Sequence, residues 1–232
     1  MTEVKVPRLI VALKKITYPN GECLTRSLIH FDMDSYSYNP ESNVFNKLLP
    51  EIDSEYELLL KKASEGNIVQ ALDQFFTNTS QYAVVGEGLT ETLALDLKIN
   101  TKDLEEALLN TRWFNTSVQY LKSGNKKRKD NPVEYAESVR QFVDIFTLEK
   151  ALTLLRANHI ELKRSTLTAL SRVASETPYI KSLIQDQKLK LTIAFELPRV
   201  EGKEREKIAD QLISFETYAE QKDFLKKIKE CQ

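Results

Sequence analysis

From about residue 100 onward, the apolar residues of this chain recur at helical spacing in one segment after another, and this succession of short helices most limits the possible folds. Pro132 stands where a helix can begin, and Val139, Phe142 and Phe146 then lie on one side of a helix. Further helices are predicted at about 148–158, 163–174, 178–187, 190–197, 203–213 and 216–230. The pattern predicts an all-helical domain over residues 120–232.

The first 119 residues have a mixed pattern. Helical spacing occurs at 51–64 and 89–97, and a helix over 102–112 is expected to have Thr101 as its N-cap. Segments with strand character, some of them only in part, are 6–13 (alternatively a short helix), 27–35, 68–76 and 82–85. The expected fold class is therefore α+β, with a mixed α/β domain at residues 1–119 followed by the helical domain.

The formal net charge of −1 hides an uneven distribution of charge. Residues 1–119 carry a net charge of −6, residues 120–190 carry +6, and residues 191–232 carry −1. A positive segment beside a negative one indicates a surface that meets an anionic partner. A solvated, lysine-rich face is the alternative interpretation.

The sequence contains none of the patterns that are typical of metal sites, nucleotide-binding loops or catalytic triads. The chain has two cysteines far apart and two histidines, with no nucleotide-binding glycine loop and no Ser-His-Asp arrangement. No catalytic residue and no metal site are predicted, and a reducing cytoplasm is the expected compartment. No stretch approaches the roughly 18 apolar residues of a membrane-spanning helix, so no membrane association is expected.

Residues 148–174 have the pattern of a helix-turn-helix. A helix that Thr147 could cap is followed by a short connection, in which Glu161 stands where glycine is often found, and by a second helix with a basic start. Arginine can donate two hydrogen bonds to a guanine edge, and hydroxyl and lysine side chains reach phosphate oxygens. The second helix of such a unit lies in the major groove. Its predicted DNA contacts are Lys163, Arg164, Ser165, Thr166, Thr168 and Arg172; ordinary helix packing is the alternative.

A polar, basic segment over 123–131 interrupts the helical pattern. Lys126, Lys127 and Arg128 in this segment could contact DNA phosphates, hold another phosphate group, or form a solvated loop. Lys188 and Lys190 are predicted to add further contacts to DNA phosphates.

Three motifs of the helical half occur in an order that is found in one known family. They are Asn131–Glu137 (Asn-Pro-Val-Glu-Tyr-Ala-Glu), Lys163–Leu167 (Lys-Arg-Ser-Thr-Leu) and Gln187–Ala194. The chain resembles the ParB family of DNA-partition proteins over roughly residues 28–230. The resemblance implies sequence-specific binding of double-stranded DNA at a centromere-like site of a plasmid or chromosome. It also implies a ParA-type ATPase as partner, a homodimer, and a cytoplasmic protein associated with the nucleoid or a plasmid.

The same resemblance implies a nucleotide site, but its motifs are degenerate. Gly86 and Glu87 are similar to the start of the family's Gly-Glu-Arg-Arg box, whose two arginines hold the triphosphate of CTP and are missing here. Asn125 and Arg128 match a second motif that has lost its glutamate, and a carboxylate is what Mg²⁺ prefers. We therefore expect no CTP hydrolysis and no resident cofactor, with binding of CTP and Mg²⁺ weak or lost.

Two other functions stay open at this point. One is a CTP-dependent DNA clamp with CTPase activity, and the other is a ParB-like transcriptional regulator or adaptor that acts through protein contacts. Family members usually carry a separate C-terminal dimerisation domain, which the sequence does not show. Either dimerisation uses one of the two expected domains, or the chain is a fragment.

Overall fold

The computed structural model describes residues 9–17, 21, 23–29, 43–80, 82–85, 89–198, 200 and 202–230. Within these ranges the chain forms three strands and thirteen helices. The strands are β1 (Leu9–Thr17), β2 (Cys23–Ile29) and β3 (Tyr82–Val85). The helices are α1 (Asn43–Ser64), α2 (Ile68–Asn78), α3 (Leu89–Asp96), α4 (Thr101–Leu109), α5 (Arg112–Lys122), α6 (Gly124–Asp130), α7 (Pro132–Phe146), α8 (Leu148–Ala157), α9 (Arg164–Ala174), α10 (Pro178–Gln185), α11 (Leu191–Ala194), α12 (Gly202–Ser214) and α13 (Tyr218–Glu230).

The three strands form one small sheet in the order β2-β1-β3. β1 and β2 are antiparallel, with Val11 opposite Ile29. β3 is parallel to β1, with Leu9 opposite Tyr82. A parallel pair needs a long crossover connection, which α1 and α2 supply here.

The expected α+β fold with a mixed α/β domain over residues 1–119 is wrong, because the chain is predominantly helical. The segment 68–76, expected to be strand in part, belongs to helix α2. Asn67 caps this helix by accepting a hydrogen bond from the backbone N–H of Gln70 at 3.1 Å. Leu72, Phe75 and Phe76 are all buried, and a helix places them on one side. A strand would have placed Phe75 on the face opposite to Leu72 and Phe76.

Helix α5 is absent from the expected elements, although its signals are present in the sequence. Phe114, Val118 and Leu121 are buried at spacings of four and three residues. Thr111 caps the helix by accepting from the backbone N–H of Phe114 at 3.1 Å. The boundary expected between residues 119 and 120 lies inside this helix, and the division into two domains stays a prediction.

Two other helix starts also differ from expectation. Asn100, not Thr101, caps α4 and accepts from the Asp103 backbone N–H at 2.8 Å. The Thr147 side chain makes no capping hydrogen bond to α8, and this residue has a left-handed φ of +61°. The helices predicted over residues 132–230 are confirmed as α7 to α13, with small shifts at their ends except at 190–197, where α11 covers only Leu191–Ala194.

Helix α7 lies at the centre of the helical arrangement and contacts α3, α5, α6, α8, α9, α10 and β3. It carries a buried ion pair to α10, in which Lys181 Nζ lies 3.1 Å from Glu137 Oε1. Burial lowers the pKa of the Lys181 ammonium, and the Glu137 carboxylate opposes that shift. This pair joins α7 to the helix that follows α9.

Candidate nucleic-acid interface

Helices α8 and α9 form the predicted helix-turn-helix and pack together on α7. Leu167, Leu170 and Val173 on α9 are completely buried, which fixes the face of α9 that points inward. The side chains on the other face, Lys163, Arg164, Ser165 and Thr168, are exposed, and Thr166 is half-buried. An exposed basic and hydroxyl-bearing helix face is what contact with DNA bases and phosphates requires.

The connection between α8 and α9 begins with a turn that closes the C-terminal end of α8. The backbone N–H of Ile160 donates to the carbonyl of Leu155 at 2.9 Å, and the Ile160 side chain is buried. The residue that takes the left-handed conformation is His159, with φ of +61°. Glycine's usual role in this turn therefore falls to His159 and not to Glu161.

We expect His159→Gly to raise the free energy of unfolding by about 0.5 to 1 kcal/mol, because glycine adopts positive φ without steric cost. Urea denaturation followed by circular dichroism measures this change. His159→Ala is the matched control, since it removes the imidazole and keeps the strained Cβ. A gain of equal size in the alanine variant would show that the imidazole, not the backbone, sets the effect.

Arg164 is held by one weak contact at the exposed face. Its Nη1 lies 2.8 Å from Glu149 Oε1 on α8, and the two side chains are 67% and 68% exposed. Ion pairs between side chains this exposed contribute little to stability, so a phosphate or a guanine edge can compete with Glu149 for the guanidinium. Acidic residues are common in the first turn of a helix, where Glu149 lies. Its presence there therefore does not indicate in the sequence that it pairs with Arg164.

Arg172 occupies a different environment from the rest of the predicted base-contacting set. Its guanidinium is half-buried and donates to the backbone carbonyl of Phe195, at the end of α11. This hydrogen bond joins the last turn of α9 to α11. Of the two arginines on α9, Arg164 is therefore the one whose guanidinium is exposed.

The basic segment that was expected to interrupt the helical pattern is helix α6. Its seven residues are nearly all polar, so no apolar periodicity marks the helix in the sequence. Gly124 begins the helix where a Cβ would lie 2.9 Å from the hydroxyl oxygen of Tyr135. Burial raises the pKa of Tyr135, and the nearby positive charge of Arg128 opposes the shift.

Three predicted phosphate contacts therefore lie on a packed helix. The Lys126 side chain is exposed, while Lys127 and Arg128 are half-buried. Lys127 Nζ lies 5.3 Å from the centre of the Tyr120 ring, a cation–π distance. Lys126 is accordingly the residue of this group with the greatest access to a ligand outside the protein.

Lys188 and Lys190 lie in the connection between α10 and α11 and are exposed. Lys188 Nζ lies 3.3 Å from Asp186 Oδ2, and Lys190 Nζ lies 5.7 Å from the centre of the Tyr218 ring. Gln187, at the start of the motif Gln187–Ala194, has a left-handed φ of +59°. Its backbone has the conformation for which glycine is favoured.

Helix α7 supports all three sets of predicted DNA contacts. Helices α6 and α9, which carry two of the sets, and α10, which precedes Lys188 and Lys190, all pack against α7. Gly86 and Glu87, predicted as remnants of a nucleotide site, lie outside the described residues. Of Asn125 only the backbone position in α6 is described, and Arg128 lies on the same helix.

Comparisons with family models, with curated proteins and with solved structures found no match. Among the described residues, no helix has the length and apolar character needed to cross a membrane. The same part of the chain contains no group of three or more histidine, cysteine, aspartate or glutamate side chains placed to hold a metal ion.

Proposed function

We propose that this protein binds duplex DNA through the helix-turn-helix formed by α8 and α9. The observation that carries the proposal is the division of α9 into a completely buried apolar face and an exposed face with Lys163, Arg164, Ser165 and Thr168. The net charge of +6 over residues 120–190 supports it, because neutralising phosphates supplies much of the affinity of DNA-binding proteins.

The finer proposal follows from the resemblance to the ParB family. In it, the protein recognises a centromere-like site on a plasmid or chromosome as a homodimer and works with a ParA-type ATPase. It would then be found in the cytoplasm with the nucleoid or a plasmid. The motifs at Asn131–Glu137, Lys163–Leu167 and Gln187–Ala194 support this proposal.

Selection of bound duplexes from a random pool, at two salt concentrations, tests DNA binding and finds the target sequence in the same experiment. We expect one sequence family to be enriched at both concentrations, with total binding falling steeply as salt rises. Recovery of no sequence preference would contradict the proposal and would favour an adaptor that acts through protein contacts.

Arg164→Ala is expected to cost about 1 to 3 kcal/mol of affinity at the enriched site and to relax the sequence preference at one base step.

Lys126→Ala is expected to weaken binding to all DNA sequences alike and to make the salt dependence of binding shallower, because it removes a phosphate contact. Fluorescence anisotropy at several salt concentrations measures both effects.

Glu149→Gln is the matched variant for Arg164, since it removes the competing carboxylate at 2.8 Å and keeps the guanidinium. We expect it to bind DNA more tightly than the unmodified protein. Unchanged affinity in Arg164→Ala would show that α9 is not the recognition helix.

We also infer that the protein is not a CTPase, because the arginine pair and the glutamate of the resembling motifs are missing. Without those arginines, the triphosphate lacks the cations that would hold it. Isothermal titration with CTP and Mg²⁺, with and without the enriched DNA, tests this inference. Tight binding or release of phosphate would contradict it.

A further inference from the structure

A cleft of about 290 Å³ opens between helices α2, α5 and α7, and the residues that line it include none of α9. Its volume lies near the lower end of the range for pockets that bind small organic molecules, roughly 300 to 1,000 Å³. Several serine and threonine hydroxyl groups line it. The other lining residues important here are Phe76, Arg112, Trp113, Tyr120, Glu134 and Gln141.

Gln141 presents its amide to this cleft. Its residue is only 6% exposed, and its side chain makes no hydrogen bond to any group in the described part of the protein. The amide has two donors and an acceptor, and its atoms are not among the fully buried polar atoms that lack a partner, so they face the open space of the cleft. A polar ligand atom in the cleft would hydrogen-bond to this amide.

Arg112 and Glu134 place opposite charges on the lining of the same cleft. Arg112 is exposed at the start of α5, and Glu134 is half-buried on α7. Among the described residues, neither side chain forms an ion pair, with the other or with any third group. In this cleft, Arg112 is therefore available to bind an anionic group and Glu134 to bind a cationic group.

The aromatic side chains supply an apolar surface between these polar groups. The rings of Phe76 and Trp113 are stacked, with their centres 4.5 Å apart and an angle of 22° between their planes. Tyr120 lies on α5 and also lines the cleft. Phe76 is buried behind Trp113, whereas Trp113 and Tyr120 are half-buried, so a ligand with a flat apolar part would pack against the exposed parts of these two rings.

We propose that this cleft binds a small zwitterion with an aromatic ring, of the charge pattern of an aromatic amino acid. The carboxylate pairs with Arg112, the ammonium pairs with Glu134, and the ring lies against the aromatic side chains. Gln141 hydrogen-bonds to the polar end of the ligand. The proposal does not rest on DNA binding, and its test uses no DNA.

Trp113 is the single tryptophan of the chain, so its fluorescence reports directly on the cleft. The probe is L-phenylalanine, which does not absorb at the excitation wavelength of tryptophan. We expect a saturable change in Trp113 emission with a Kd of about 1 mM or tighter. 3-Phenylpropionate lacks the ammonium and 2-phenylethylamine lacks the carboxylate, and each is expected to bind at least about tenfold more weakly.

Charge-removing variants separate the two ionic contacts. Arg112→Gln is expected to weaken L-phenylalanine and 3-phenylpropionate at least about tenfold and to leave 2-phenylethylamine unchanged, and Glu134→Gln is expected to do the converse. Arg156→Gln, at an exposed position of α8 outside the cleft, is the matched control and should bind normally.

Isothermal titration gives a second measurement that does not depend on the emission of Trp113, and circular dichroism verifies that each variant is folded. Three results would overturn the proposal: no saturable response to L-phenylalanine, binding of either truncated analogue as tightly as L-phenylalanine, or normal binding of L-phenylalanine by Arg112→Gln.

Discussion

Glu137→Gln is expected to lower the free energy of unfolding by about 3 to 5 kcal/mol, because the buried Lys181 ammonium loses its hydrogen-bonded counter-charge and keeps only the influence of the Glu176 carboxylate. Glu137 is completely buried and Lys181 is 9% exposed, so water cannot replace the lost carboxylate. The two side chains join α7 to α10 across 44 residues of sequence. Urea denaturation followed by circular dichroism measures the loss.

A double variant distinguishes the removal of a charge from the removal of a contact. Glu137→Leu combined with Lys181→Met replaces the pair by apolar side chains and is expected to recover most of the lost stability. Lys188→Gln, which breaks an exposed ion pair at 3.3 Å, is the control and should change stability by less than about 1 kcal/mol. A loss below that level in Glu137→Gln would show that Glu137 is not the counter-charge on which the buried Lys181 ammonium depends.

Phe142→Ala is expected to cost about 3 to 5 kcal/mol, the usual loss when a buried aromatic side chain is removed and leaves a cavity. The Phe142 ring centre lies 6.5 Å from that of Trp113, 5.9 Å from Phe114 and 5.0 Å from Phe146. Trp113 in turn stacks on Phe76. These aromatic contacts connect residues on both sides of the expected domain boundary at 119/120.

Because the aromatic contacts cross that boundary, we expect the Phe142→Ala variant to unfold in one transition at a lower urea concentration. Trp113 fluorescence and helical circular dichroism should then report the same midpoint. Leu95→Ala is the control, since that side chain is 64% exposed and its removal should cost less than about 0.5 kcal/mol. Two separate transitions would show that the two halves unfold independently.

The helical half is predictable because its apolar residues recur with a strong period. The buried faces of α7 and α9, with Phe142, Phe146, Leu167 and Leu170, follow directly from spacing. The proposed recognition face of α9 is likewise predictable, because exposure on one side follows from burial on the other. Local periodicity does not depend on the rest of the fold.

Helices with weak or ambiguous local signals escape prediction. In α2, the consecutive apolar residues around Leu72 and Phe75 were expected to be strand in part, whereas the Asn67 cap and packing against α1, α4 and α5 favour a helix. In α6, almost every side chain is polar, and the close approach of Gly124 to Tyr135 is a tertiary contact that no local pattern shows. Helix α6 lies in the part that was expected to be helical, whereas α2 and the unexpected α5 add helix to residues 1–119, where a mixed α/β domain was expected.

The sequence alone determined the order of the helices from residue 132 onward, the buried and exposed faces of α9, and the concentration of positive charge in residues 120–190. Only the tertiary structure decided that Glu137 meets Lys181, that Glu149 meets Arg164, and that Gln141 reaches the cleft beside Arg112. The reason is physical. Helical periodicity shows which side of a helix is buried, whereas the partner of a side chain depends on how distant helices pack against one another.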